Sequence, residues 1–315
     1  MLSGKDLEKE VALYARKRVR NLRSSFRAVV ENSDSRAVHD FRKETRLLQT
    51  IVDACGIRQP TRMTKKIRRR LQKARRALGD WRDSDVMLKE LKKAQRKART
   101  KGERLCWSQV ARRIAKSRRR IVNKFFRKCK SLKVTATGTK AKALVKKKLK
   151  SKSIMDSFRL LLQSGWKKWN GAIDDFVRNP AAPELHAVRI KTKTLRYAIE
   201  LTQRFYPDNH LASASEWLKD IQDRVGVWHD EFMLSQRVLE TFSKTPREPS
   251  AVKVLRELKE KEIAMAESAR NFISSIRKTG NYQRLKQLLS ASVYAMINGR
   301  DAAAIATNSI TGPIK

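Results

Sequence analysis

The stretch LHAVRIKTKTLRY, from Leu185 to Tyr197, has an earlier counterpart in VHDFRKETRLL, from Val38 to Leu48. Placing His39 on His186 sets Arg42 on Arg189, Thr45 on Thr192, Arg46 against Lys193 and Leu48 on Leu195, an offset of 147 residues. Carried forward without a gap, the same offset matches Pro60 with Pro207, Leu71 with Leu218, Gly79 with Gly226, Trp81 with Trp228 and Asp83 with Asp230. That makes nine identities over the 45 positions from His39 to Asp83, where ordinary residue usage gives about three by chance. The chain reads as an internal duplication.

On a helical wheel His39, Arg42, Lys43 and Arg46 share one stripe, and Val38, Phe41, Thr45, Leu48 and Val52 fall roughly opposite. In the second copy His186, Arg189, Lys193 and Arg196 make the stripe against Leu185, Val188, Thr192, Leu195 and Ile199. Each motif is an amphipathic helix. One side can be buried while the other offers a row of cations to an anion.

A helix reading His, Arg three on, Lys or Arg seven on, then Leu-Arg-Tyr, repeated once and followed each time by a Gly-x-Trp-x-Asp turn, resembles the CHAD domain, the conserved-histidine α-helical domain. The second copy is the closer match, because the first has Leu47 and Gln49 where the family often has basic residues. The resemblance runs from the first helix to about Arg277. It implies an all-α fold of two pseudo-symmetric helical bundles around a central basic channel that binds inorganic polyphosphate. Storage-granule association, regulation and scaffolding are the roles such binding leaves open.

Composition points to the same kind of partner. With 74 Lys plus Arg against 31 Asp plus Glu the formal charge is +43, a repulsion that a polyanion would relieve. Nucleic acid, polyphosphate, an anionic membrane and an acidic protein all satisfy that condition. Cys55, Cys106 and Cys129 are odd in number and lack CxxC spacing, which suggests neither disulfides nor zinc and fits a reducing cytosol. The opening residues lack the apolar core of a secretory signal, and no run of about 18 apolar residues occurs. A cytoplasmic protein without membrane insertion is expected, with no cofactor.

Along the chain, helices are predicted near 5–31, through the first motif with Ser35 or Asp34 as N-cap, over 61–78, 84–98 and 107–130. The 61–78 helix has Arg62, Lys65, Lys66, Arg69, Lys73 and Arg76 on a face opposite Ile67, Leu71 and Leu78, a second cationic stripe. Residues 131–152, SLKVTATGTKAKALVKKKLKSK, are small, polar and basic, and read as a mobile linker between the copies. The organisation is then 1–130 for the first repeat, 131–152 for the linker, 153–299 for the second repeat and 300–315 for a tail, with helices over 154–177, 211–225, 231–242, 251–277 and 282–297 besides the motif. The 211–225 helix differs from its partner: between Asp208 and Asp223 it carries Asp208, Glu216, Asp220 and Asp223 against Lys219.

A single cationic face can simply be solvated, but three related rows, two of them repeat mates, favour an anion site. Arg supplies paired donors to phosphate oxygens and Lys a point charge. The expected site is His39, Arg42, Lys43, Arg46, His186, Arg189, Lys193 and Arg196, with Lys65, Arg69, Lys73 and Arg76 adding to one side. The histidines are structural, or extra donors that strengthen when protonated, or ligands of a metal, for which four His with these two on separate helices are a poor set. Asp83, Asp85 and Asp230 read as N-caps of the following helices, with ligation of a divalent cation as the alternative, and Trp81 and Trp228 as plugs where third and fourth helices meet. No Gly-rich phosphate loop, HExxH or nucleophile elbow occurs, so a non-catalytic binder is expected. Weak nucleic-acid binding at low salt and a metal-dependent phosphohydrolase are the alternatives.

Overall fold

The computed structural model describes residues 4–148, 151–242 and 249–290. The first half consists of α1 (Gly4–Asn32), α2 (Ser35–Gly56), α3 (Arg62–Ala77), α4 (Gly79–Lys97), α5 (Lys101–Lys128), a 3-10 turn (Cys129–Leu132) and α6 (Val134–Lys148). The second consists of α7 (Ser151–Arg178), α8 (Ala182–Phe205), α9 (Asn209–Phe242), α10 (Pro249–Ser275), another 3-10 turn (Ile276–Lys278) and α11 (Gly280–Ser290). No strand occurs among the described residues, so the fold is all-α. Shifting the starts of α1, α2, α3 and the first 3-10 turn by 147 residues reaches the starts of α7, α8, α9 and the second 3-10 turn. The expected 300–315 tail, and the last helix beyond Ser290, lie outside the described residues.

The halves differ at one junction. α3 and α4 are separated at Leu78, whose φ of −107° and ψ of 8° leave the helical region, whereas α9 runs through the corresponding position Val225 as one helix. Apolar residues at three- and four-residue spacing turn inward from α1, α2, α3, α7, α8 and α9 into one core shared by both halves, with Phe41, Leu48, Trp81, Phe158 and Trp169 wholly enclosed. A smaller core, including Leu91, Cys106 and Val110 from α4 and α5 and Val238 and Val254 from α9 and α10, ties the two outer hairpins together. The tryptophans plug a different joint from the expected one. Trp81 meets Phe125 of α5 edge-on with centroids 5.7 Å apart, and Trp228 meets Phe272 of α10 in the same way at 5.5 Å.

The stretch expected to be a mobile linker is largely α6. Val134, Thr137, Gly138, Ala141, Leu144 and Val145 are buried, a three- and four-residue period built from small side chains that little resembles a core stripe on hydrophobicity alone. Small residues are what the packing needs: a Cβ on Gly138 would stand 2.9 Å from Val19 Cγ1 of α1. α6 lies chiefly against α1 and α3, and by order it is the counterpart of α11.

The Gly-x-Trp-x-Asp segments are helical in both halves, inside α4 and α9, so they are not turns. Asp83, Asp85 and Asp230 are therefore not N-caps, because their own backbone N–H groups and those that follow are already within helices. Asp85 instead receives Arg118 Nε of α5 at 2.5 Å. Each glycine lies beside a motif guanidinium: a Cβ on Gly79 would be in ordinary contact with Arg42 Nη1 at 3.4 Å, and one on Gly226 would lie 3.9 Å from Arg189 Nε.

Candidate anion-binding site

α2 and α8 pack against each other near the middle of the molecule. α2 starts at Asp34, whose carboxylate accepts Ala37 N–H at 2.6 Å, and α8 starts at Ala181 with Pro183 in its first turn. Their apolar stripes are buried: Val38, Phe41, Thr45 and Leu48 on α2, and Val188, Thr192 and Leu195 on α8. Thr192 Oγ1 accepts Trp169 Nε1–H at 2.9 Å, which fixes the rotation of α8 against α7. That rotation aims the cationic stripes of α2 and α8 at one another.

The electrostatic neighbours are reciprocal. Arg42 feels Arg189; His39 feels Lys193 among its neighbours, and its mate His186 feels Arg46. This is the pattern of two like helices crossing about a local twofold, centred on Arg42 and Arg189. Lys43 is exposed, so it lies at the edge of the cluster.

Burial and like charge together make the cluster expensive. Burial, then Arg189 and Arg46, push the Lys193 ammonium down to about 7, with Asp230 opposing. Burial likewise pushes Arg46 down to about 10, with Arg42, Arg189 and Arg196 adding and Tyr197 opposing. Three carboxylates stand among these cations, Glu200 being paired with Arg196. Asp230 Oδ1 lies 3.5 Å from Arg189 Nη2, and Asp83 feels Arg42 most strongly after its own burial, which raises it. Arg189 Nε and Arg75 Nη1 are buried without a hydrogen-bond partner, a condition that costs roughly 1–3 kcal/mol per group.

Arg75 of α3 is a site residue that the helical wheel does not pick out. Burial, then Arg46 and Arg42, push it down to about 10. Its Nη2 donates to Gln49 Oε1 of α2 at 3.0 Å. In the other half Arg196 Nε of α8 donates to Gln222 Oε1 of α9 at 3.1 Å. Gln49 corresponds to Arg196 and Arg75 to Gln222, so the same pair is present with its members exchanged between helices. The basic residue that the first motif lacks at Gln49 is supplied from α3. The signal for it in the sequence is the exchange itself, Gln for Arg and Arg for Gln at the 147-residue offset. Arg42 Nη1 also donates to Arg75 O at 2.9 Å, a carbonyl near the end of α3 that accepts Leu78 N–H as well, at 3.3 Å.

The predicted third-helix row is placed differently. Lys65, Arg69, Lys73 and Arg76 are all exposed on the outward side of α3, opposite its buried Ile67, Leu71 and Ala74. Only Arg75 reaches the cluster between α2 and α8.

The histidines differ between halves. His186 Nδ1 lies 2.9 Å from His229 Nε2, and His229 Nδ1 lies 3.1 Å from Asp230 Oδ1. With the carboxylate accepting from His229 Nδ1–H, neutral His229 accepts at Nε2 from His186 Nδ1–H. Neutral His186 then presents an unprotonated Nε2, which donates to an anion only after taking up a proton. At His39 the position of His229 is taken by Arg82, whose Nη1 donates to Ser35 Oγ at 2.9 Å. Burial lowers both motif imidazoles; Arg82 leads the added repulsion on His39, and His229 that on His186.

Among the described residues no group of three or more His, Cys, Asp or Glu is arranged to hold a metal ion. No described helix is long and apolar enough to cross a membrane.

The crystal structure of the CHAD domain from the plant Ricinus communis superposes with a TM-score of 0.63 at 18% identity, covering 89% of this chain and 91% of that one. PptA from Streptomyces chartreusis superposes with a TM-score of 0.64 at 18% identity, covering 89% of this chain and 99% of that one. At such identity the likeness establishes the fold. No curated protein matches the sequence. The CHAD domain family model matches residues 13–239, which is most of the chain and takes in both motif helices, so the protein belongs to the CHAD domain family.

Proposed function

We propose that this protein binds inorganic polyphosphate, without cleaving it, at the cluster between α2 and α8. The supporting observation is the concentration of Arg42, Arg46, Arg75, Arg189, Lys193 and Arg196 around Asp83, Asp230 and Glu200, buried and crowded enough to bring Lys193 to about 7. A polymer with a charge on every phosphate relieves that repulsion and supplies acceptors to the buried guanidinium N–H groups. Arg42 and Arg189 at the crossing point are its principal ligands, with Arg46, Lys193, Arg196 and Arg75 flanking them. His39, His186 and Lys43 border the cluster. Cytoplasmic residence and association with polyphosphate granules accord with such binding.

The test is titration calorimetry with long-chain polyphosphate at physiological salt, beside the double variant Arg42→Ala, Arg189→Ala. Without the two central guanidinium groups, binding should weaken by about a hundredfold or more. Undiminished binding by the variant, or equal binding of duplex DNA by the wild type, would show that charge acts diffusely. The position of Asp83 and Asp230 in the cluster favours one competing reading, metal-dependent hydrolysis. Shortening of polyphosphate on incubation with Mg²⁺ or Mn²⁺, abolished by Asp83→Asn, would establish that reading instead.

A further inference from the structure

The outer side of α3 and the adjoining side of α6 carry a second, larger cation surface. α3 has nine Lys and Arg and α6 has five Lys, and neither contains an acidic residue. On α6, Lys140 and Lys147 are seven residues apart and so share one side, and Lys133, left-handed in backbone, stands just before the helix. All three are exposed. Lys66 of α3 lies beside Lys140 and Lys133, and its ammonium is lowered first by Arg70, then by Lys140, with no acid among its causes. Arg68 on the other flank of α3 is paired, its Nε 2.7 Å from Asp53 Oδ1.

This surface is continuous with the central cluster. Arg75 takes part in the cluster, Arg76, Lys73 and Arg69 follow on the exposed side of α3, and Lys66 meets α6. Arg75 and Lys66 are nine residues apart, about 13 Å along the helix and half a turn around it, so the path between them crosses the exposed side through Arg76, Lys73 and Arg69. A flexible phosphate chain emerging at Arg75 therefore has cations at every turn. No Phe, Tyr or Trp occurs on α3 or α6, so the surface offers phosphate contacts but no platform on which bases could stack. Among the described residues the counterpart helix of the second half carries no such row. There α9 places Glu216, Asp220 and Asp223 at the positions of Arg69, Lys73 and Arg76.

We infer that α3 and α6 form an outer track for the part of a long polyphosphate chain that leaves the central cluster, so that the protein favours long chains over short ones. The inference rests on the polyphosphate reading of the central cluster. It adds a site, Lys66, Lys140 and Lys147, and a selectivity that the central residues alone lack.

The experiment compares tripolyphosphate, long-chain polyphosphate and duplex DNA on the full chain and on the variant Lys66→Gln, Lys140→Gln, Lys147→Gln. These side chains are exposed, and an unchanged thermal midpoint would verify that the variant folds. Removing three phosphate-binding cations should lower long-chain affinity about tenfold or more, and reduce the slope of log K against log salt by about 2. Tripolyphosphate affinity should not change. Unchanged long-chain binding would overturn the track. So would an equal loss for both chain lengths, which marks a diffuse field, or a loss confined to DNA, which assigns the surface to nucleic acid. Arg42→Ala, Arg189→Ala serves as the separate control: if it leaves tripolyphosphate binding intact, the central reading fails, while the length-dependent loss still judges the outer surface by itself.

Discussion

α3 and the first half of α9 are counterparts with one side alike and the other opposite. Their inward positions are all buried: Thr64 and Leu211, Ile67 and Ala214, Leu71 and Leu218, Ala74 and Ile221, Leu78 and Val225. Their outward positions have parted, into Arg69, Lys73 and Arg76 on α3 and Glu216, Asp220 and Asp223 on α9. Packing constrains the inward side, because a lost or added methylene is felt throughout a dense core. Water tolerates either charge on the outward side, so the sign there is free to follow a ligand. The cations of α3 adjoin α6 with its lysines. Of the acids of α9, Asp220 has Arg224 as a partner, its Nε 3.1 Å from Asp220 Oδ2.

The flank between these two sides gives the comparison its sharpest test. Arg75 with Gln49 and Arg196 with Gln222 are the same pair in exchanged positions, so the site needs a guanidinium at that place but not from a particular helix. Arg75→Gln should weaken long-chain polyphosphate about tenfold, since one charge-assisted hydrogen bond is worth roughly 1.5–3 kcal/mol and other cations compensate in part. Adding Gln49→Arg, which gives the first half the arrangement of the second, should restore most of the affinity. Failure of the second substitution to rescue would mean that α3 supplies Arg75 for a reason of its own, such as the break at Leu78.

The helices and the motif cations were readable because they obey a 3.6-residue period with large apolar side chains opposite charged ones. α6 was not, since its buried residues are chosen for closeness to α1, and Thr137, Gly138 and Ala141 look like linker residues in a Lys-rich run. The Gly-x-Trp-x-Asp segments suggested turns because glycine usually marks one. Here Gly79 and Gly226 lie beside Arg42 and Arg189 while the backbone remains helical, and that unbroken helix takes Asp83 and Asp230 out of the cap role and into the cluster. Arg75 sits at the border between the buried and exposed sides of α3, where a wheel assigns residues least securely.

Lys193 makes the comparison pH-dependent. Its folded pKa of about 7 lies below the ordinary 10.5, so between those values the unfolded chain binds more protons and ligand-free stability rises with pH. Lys193→Met should therefore stabilise the ligand-free protein at neutral pH, by about 2 kcal/mol, as relief of strain at a binding site commonly does. The anion has the opposite effect, holding Lys193 protonated. Affinity for polyphosphate should then fall as pH rises above about 7, by up to tenfold per unit, and calorimetry in buffers of different ionisation heat should register proton uptake. In Lys193→Met this fall should disappear. A separate rise at lower pH should persist, because His186 donates through Nε2 only once protonated. Persistence of the alkaline fall in the methionine variant would assign the proton elsewhere.

The smallest effect belongs to the acidic face of α9. Asp220→Lys, Asp223→Lys makes the outer side of α9 resemble that of α3, but it leaves α11, the counterpart of α6, with only Arg284 and Lys286 as cations. Exposed charges act over about a Debye length, some 8 Å at physiological salt, so the gain in long-chain affinity should be about twofold. Charge reversal at Arg69 and Lys73 should cost several times more, since those residues adjoin a surface on which the chain can continue. Equal and opposite effects from the two pairs would mean that only net charge matters, and that the outward sides of α3 and α9 are interchangeable to the ligand.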